Sequence, residues 1–238
     1  MPGITFSALS ERGLSPRNDD AYCAKQIGQF FVCAVADGVA GHPDGDLASR
    51  IAMDTFTKTI RETQGSAREI LMTAVRKADA AVGALPEKTL KHASLATTLV
   101  ACLIDDKGTC TALDILGNAF VIGAKSVRTV AEAGRSHNLP GPGGPKHASP
   151  LQPDLSEMVA HVLGAPYRLK DSDFTEFVVG NDYLLLGSDG LTGVLTAETI
   201  ASLVRVSAGN LEVACEKLVQ EATLAGSEST ITVVLVRG

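Results

Sequence analysis

No Cys-x-x-Cys pair occurs among the five cysteines, Cys23, Cys33, Cys102, Cys110 and Cys215. Their odd number and wide spacing exclude a zinc ribbon or a redox pair and leave reduced core thiols as the reading. No apolar stretch approaches the about 20 residues that span a bilayer; the longest covers residues 30–36. The opening Met1-Pro2-Gly3-Ile4-Thr5-Phe6 lacks a basic segment followed by an apolar one, so a cytoplasmic location is expected. Basic residues are in deficit, 21 Lys and Arg against 27 Asp and Glu, and the net charge of −6 repels nucleic-acid backbones and anionic membranes. Neither is expected as a partner. What is present is an ordinary globular composition, 45% hydrophobic and 20% charged over 238 residues, which excludes a disordered, collagen-like or coiled-coil chain. That length allows one large domain or two small ones.

Short apolar, β-branched or aromatic runs recur at residues 4–9, 30–36, 95–104, 109–116, 120–122, 174–179, 183–187 and 231–236, and read as strands. Asp105-Asp106-Lys107-Gly108 and Gly117-Asn118 are turn sequences short enough for antiparallel hairpins, which predicts a meander in mid-chain. Helical periodicity places Ala48, Ile51, Ala52, Thr55 and Phe56 on one face, and Ile70, Leu71, Ala74, Val75, Ala78 and Val82 on another. Ser66-Ala67-Arg68-Glu69 fits a capping box at the start of the second helix. Leu211, Cys215, Leu218, Val219 and Ala222 form a third stripe, and Thr196 is a candidate N-cap for a helix over about 197–205. Strands and helices segregated in this way predict an α+β layered domain with mainly antiparallel sheets. Residues 134–153, rich in Pro and Gly, read as a surface flap.

Aspartates stand at strand ends beside glycine or another aspartate: Asn18-Asp19-Asp20 before a strand, Asp37-Gly38 after one and Ser188-Asp189-Gly190 after another. Taken singly, these are also common turn sequences. Brought together, three such carboxylates would repel one another unless a hard cation neutralised them, which points to Mg²⁺ or Mn²⁺.

In order along the chain stand Arg17-Asn18-Asp19-Asp20, then Asp37-Gly38-Val39-Ala40-Gly41-His42-Pro43-Asp44-Gly45-Asp46-Leu47-Ala48-Ser49, then Ala96-Thr97-Thr98, then Ser188-Asp189-Gly190-Leu191, then Ile231-Thr232-Val233-Val234. This series resembles the successive motifs of the metal-dependent, type 2C (PPM) serine/threonine protein phosphatases, from about Ser7 to Val236. The resemblance implies a single catalytic domain over 1–238, folded as a four-layer α-β-β-α sandwich of two mainly antiparallel sheets flanked by helices. It implies two Mn²⁺ or Mg²⁺ ions and hydrolysis of phosphoserine or phosphothreonine on proteins by a water that the ions activate. By position, Asp37 would bridge the ions, the Gly38 carbonyl would be a second ligand, Asp189 would bind the other ion, and Asp20 would act on the metal directly or through its waters. His42 is read either as a proton donor to the leaving oxygen or as a structural histidine at a helix start. An opposing protein kinase is the expected functional counterpart.

Three departures from the family pattern matter. Ser15 stands where a phosphate-binding arginine is usual, leaving Arg17 and Arg12 as candidates for that role. Gly117-Asn118-Ala119-Phe120 replaces Gly-Asp-Ser-Arg, removing a carboxylate associated with a third metal. Ser229-Thr230-Ile231-Thr232 replaces Asp-Asn-Ile-Thr, removing a carboxylate to a core ion, with Glu228 as the nearest substitute if a bulge or loop turns it inward. The rival reading is a phosphatase-like binding or regulatory module with weakened catalysis.

Overall fold

The computed structural model describes residues 3–38, 45–85, 96–114, 118–135, 162–164, 169 and 173–238. One five-stranded sheet has the order β2-β3-β4-β5-β8, formed by β2 (Asp20–Ile27), β3 (Phe30–Asp37), β4 (Val100–Ile104), β5 (Thr109–Leu113) and β8 (Phe174–Val178). The other has the order β1-β10-β9-β6-β7, formed by β1 (Thr5–Glu11), β10 (Ile231–Arg237), β9 (Tyr183–Gly187), β6 (Ala119–Ile122) and β7 (Val127–Thr129). Every pairing between these strands is antiparallel.

Strand parity shows how the layers stack. Val32, Ala34 and Ala36 of β3 pack with helices α1 (Gly45–Glu62) and α2 (Ala67–Gly83), whereas Phe31, Cys33 and Val35 pack with Leu184, Leu186, Val234 and Val236 of the opposite sheet. The outer face of that second sheet, Leu185, Ile231, Val233 and Leu235, packs with α5 (Ala197–Val206) and α6 (Leu211–Leu224). Three apolar interfaces separate four layers, helices on sheet on sheet on helices, as the family resemblance implies. A strand buried on both faces needs apolar residues at every position, and β3 is buried along its whole length. The capping box of α2 forms as expected: the Ser66 hydroxyl accepts from the Glu69 N–H, and the Glu69 carboxylate accepts from the Ser66 N–H.

Two expectations are corrected. β5 and β6 are not a hairpin. They belong to different sheets, and the chain crosses between them, with the Asp114 carboxylate accepting the N–H groups of Asn118 and Ala119. Turn residues mark a reversal, but they do not say which sheet takes the next strand. The run expected over 95–104 is regular only from Val100, because Thr97 makes single bridges to Gly38 and Leu163 instead. Sequence patterning gives no sign of β7 or of the short α3 (Val130–Arg135), whose last two residues fall within the expected flap. The rest of that flap up to 153, and all five histidines including His42, lie outside the described residues. Among the described residues, no helix is long and apolar enough to cross a membrane.

Candidate active site

Antiparallel register sets Asp20 directly opposite Asp37, where β2 begins and β3 ends. Asp37 shares the parity of Cys33 and Val35, so its side chain looks into the space between the sheets. Ser188 follows β9 and Thr232 lies on β10 with the parity of Val234, so both approach the same space from the second sheet. The end of the sandwich thus brings Asp20, Asp37 and Asp189 together. The Asp189 N–H donates to Asp37 Oδ2 at 3.0 Å.

Glycine permits this closeness. A Cβ on Gly38 would run into the Gly45 carbonyl and come within 2.8 Å of the Asp19 carbonyl oxygen, and one on Gly190 would run into the Thr230 carbonyl. Hydroxyls tie the two sheets around the carboxylates. Asn18 Nδ2 donates to Ser10 Oγ at 2.9 Å, Ser10 Oγ shares a hydrogen bond of 2.7 Å with Thr232 Oγ1, and the Thr232 N–H donates to Ser188 Oγ at 2.9 Å. Ser10 carries no sequence signal for this role beyond its inward parity on β1.

The electrostatics are unfavourable as they stand. Burial, with the hydroxyls of Thr232 and Ser188 pulling the other way and the Asp189 charge adding to it, pushes the Asp20 carboxyl up from 3.8 to about 7. Burial, then the charges of Asp20 and Asp189, push Asp37 well above the ordinary range. Asp20 as a residue is half-buried, but both of its carboxylate oxygens are buried and neither completes a hydrogen bond; Asp19 Oδ1 and Asp189 Oδ1 are in the same position. Buried carboxylate oxygens without partners are costly unless a cation compensates them. No three His, Cys, Asp or Glu side chains among the described residues already surround one ligand point. The fit to a divalent cation therefore rests on uncompensated buried charge and hard oxygen donors rather than on a finished cage.

The substitute residues divide. Glu228 is exposed in the loop before β10 and makes no hydrogen bond or ion pair among the described residues, so it does not join the cluster. The neighbouring Asp19 has a buried Oδ1 3.6 Å from Arg17 Nε, and its side chain lies against Gly45 at the start of α1. Arg17 keeps 47% of its side chain exposed there, whereas Arg12 Nη1 donates to the Ser15 carbonyl at 3.2 Å and braces its own turn. Asn118 Oδ1 accepts from Thr192 Oγ1 at 2.9 Å, so the neutral amide serves as a strut to α4 (Asp189–Thr192).

A four-layer sandwich with acidic groups gathered at one end of its inter-sheet space is suited to chemistry that depends on a divalent cation, a broad class. Comparison with known proteins narrows it. Residues 11–212 match the family described as protein phosphatase 2C. A serine/threonine phosphatase of Listeria welshimeri is 24% identical over 211 residues, covering 86% of this chain and 83% of the relative. The fold is shared with the serine/threonine phosphatase Stp1 of Staphylococcus aureus, at a TM-score of 0.79 and 20% identity, covering 99% of this chain and 95% of that one. It is shared too with the catalytic domain of the serine/threonine protein phosphatase PstP, solved with two manganese ions, at a TM-score of 0.74 and 21% identity over 99% and 98% of the two chains. The chain belongs to the protein phosphatase 2C family.

Proposed function

We infer that this protein is a metal-dependent serine/threonine protein phosphatase that hydrolyses phosphoserine and phosphothreonine on protein substrates, with Mn²⁺ or Mg²⁺ as its cofactor. The observation that carries the assignment of residues is the facing pair Asp20 and Asp37 beside Asp189, with buried carboxylate oxygens that nothing among the described residues neutralises. Asp37, Asp189, Asp20 and the Gly38 carbonyl are the groups that would hold the cations. When bound, the cations lower the pKa of an attacking water and neutralise charge on the phosphoryl oxygens.

The chain's own contribution is positioning and charge. Its Asp189 N–H fixes one oxygen of Asp37, leaving the other to turn toward a ligand. Thr98 N–H and Thr97 Oγ1 both donate to the Asp37 carbonyl, at 2.8 and 2.9 Å, and so hold the Asp37–Gly38 backbone. The Arg17 guanidinium, exposed at the rim beside Asp19, is placed to receive phosphate oxygens in its planar fork. His42 remains the candidate proton donor to the leaving oxygen. We place the protein in the cytoplasm, opposing a protein kinase, with neither nucleic acid nor membrane as a partner, on its net charge of −6 and the absence of an apolar spanning run.

One observation favours a second reading. Ser229 offers no carboxylate and Glu228 is exposed to solvent, so a cation site short of one charge would make the protein a weakened, phosphate-recognising module. Hydrolysis of a phosphothreonine peptide and of p-nitrophenyl phosphate across a Mn²⁺ titration decides between them. Saturable turnover, removed by EDTA and by Asp37→Asn, is the expected result. A folded sample with no turnover at any Mn²⁺ concentration establishes the binding module instead.

A further inference from the structure

The segment Val162-Leu163-Gly164 pairs with the backbone next to the site and is held at every residue. Val162 is buried at 6% exposure, and Leu163 packs against the core shared with α1 and α2. Leu163 also exchanges both backbone hydrogen bonds with Thr97, N–H to carbonyl at 2.8 Å one way and 3.3 Å the other. Gly164 has φ +92°, a conformation that favours glycine, and its N–H donates to Asp79 Oδ1 on α2 at 2.8 Å. Thr97 is fully buried, bridges Gly38, and spends its hydroxyl on the Asp37 carbonyl. A continuous line therefore runs from Asp79 through Gly164, Leu163 and Thr97 to the backbone that carries the bridging carboxylate and the Gly38 carbonyl.

Backbone carbonyls are poor at adjusting to a cation, because they move only with the chain. Gly38 has no side chain to lock its peptide, and its place at the end of β3 gives it a ladder partner in Thr97 rather than in a full strand. Thr97 in turn is outside β4 and depends on Leu163 for its second bridge. Leu163 is fixed on its following side by the carboxylate of Asp79.

We propose that Asp79, remote from the aspartate cluster on α2, is a positioning residue for cation binding: its carboxylate anchors Gly164 so that Leu163 clamps Thr97 onto Asp37 and Gly38. The inference rests on the functional reading above and adds a residue to it. Its role needs only an acceptor oxygen at that point, not a charge, so Asp79→Asn preserves it and Asp79→Ala removes it.

The test measures Mn²⁺ affinity by calorimetry, together with hydrogen exchange at the Thr98 amide in metal-free protein, for the whole chain and for Asp79→Ala, Asp79→Asn and Asp79→Glu. Asp79→Ala is expected to bind Mn²⁺ roughly tenfold more weakly, the size of effect typical of groups that orient metal ligands, and to exchange the Thr98 amide faster. Asp79→Asn should keep both within about threefold of wild type on the same scale. Wild-type Mn²⁺ affinity and Thr98 protection in a folded Asp79→Ala overturn the proposal, as does equal impairment of Asp79→Ala and Asp79→Asn. If Asp79→Ala does not fold, Asp79→Glu, which keeps the charge but displaces the acceptor oxygen, decides: weakened Mn²⁺ binding with faster Thr98 exchange supports the clamp, and both unchanged overturn it. A wild-type protein that binds no Mn²⁺ at all would overturn the phosphatase reading itself, which keeps the two failures apart.

Discussion

Asp20 carries an energetic cost in its ionised form that a proton or a cation relieves. Its carboxyl, raised to about 7 by burial, is more acidic in the unfolded chain, near 3.8. The native state therefore holds this proton to higher pH, and the stability associated with it is full below about pH 4 and lost as pH rises through 7. In metal-free protein, Asp20→Asn should match wild type in thermal stability near pH 4 and exceed it by several degrees at pH 8, since ionising such a group costs on the order of a few kcal/mol. Equal melting temperatures at pH 8 would show that the cluster is not strained. The two arginines make a complementary pair. Arg17→Ala should raise KM for a phosphopeptide about tenfold or more, with a smaller change in kcat, as expected for loss of a charge-assisted hydrogen bond. Arg12→Ala, whose fork braces the Ser15 carbonyl, should lower the melting temperature more than it changes KM. Steady-state kinetics beside a thermal melt separate the two.

Elements place these residues, and two local devices are open to test. Gly190 is the second residue of α4, where an added Cβ would run into the Thr230 carbonyl, so Gly190→Ala must force the backbone before β10 away from the turn that carries Asp189. Loss of activity and a fall in stability beyond about 1 kcal/mol, read from a denaturant curve, are expected for such overpacking. Ser66→Ala removes the capping box of α2 and should cost about 1 kcal/mol while leaving Mn²⁺ affinity close to wild type. That outcome would also show that general loosening of α2 does not mimic loss of its Asp79. Elements are the scale at which sequence is most informative. The two long helices, their shared faces and the Ser66 cap follow from residue type at regular spacing. The hairpin expected at Gly117-Asn118 fails for the converse reason: a reversal is local, but membership of a sheet is settled by which buried face each strand completes, and β6 completes the layer of β9.

At the scale of the whole molecule, a cation that binds only the folded chain must stabilise it. Mn²⁺ at about 100 times its dissociation constant should add about 2.7 kcal/mol, a rise of roughly 5–10 °C for a chain of this size, reversed by EDTA. No rise with Mn²⁺ or Mg²⁺ would count against every carboxylate assignment made for this site. The sequence by itself determined the α+β class, the four main helices and most of the strands, the family, and the three aspartates at strand ends, because each is written in local patterning and in short strings whose glycines answer to close backbone contact. Only the tertiary structure decided that Glu228 is exposed to solvent, that Asn118 is a strut, and that Asp79 is linked through Gly164, Leu163 and Thr97 to the Asp37 carbonyl. These are matters of which side chain meets which across two sheets and a helix layer, and such meetings depend on register and on pairings between residues 60 to 222 positions apart, which spacing along the chain does not encode.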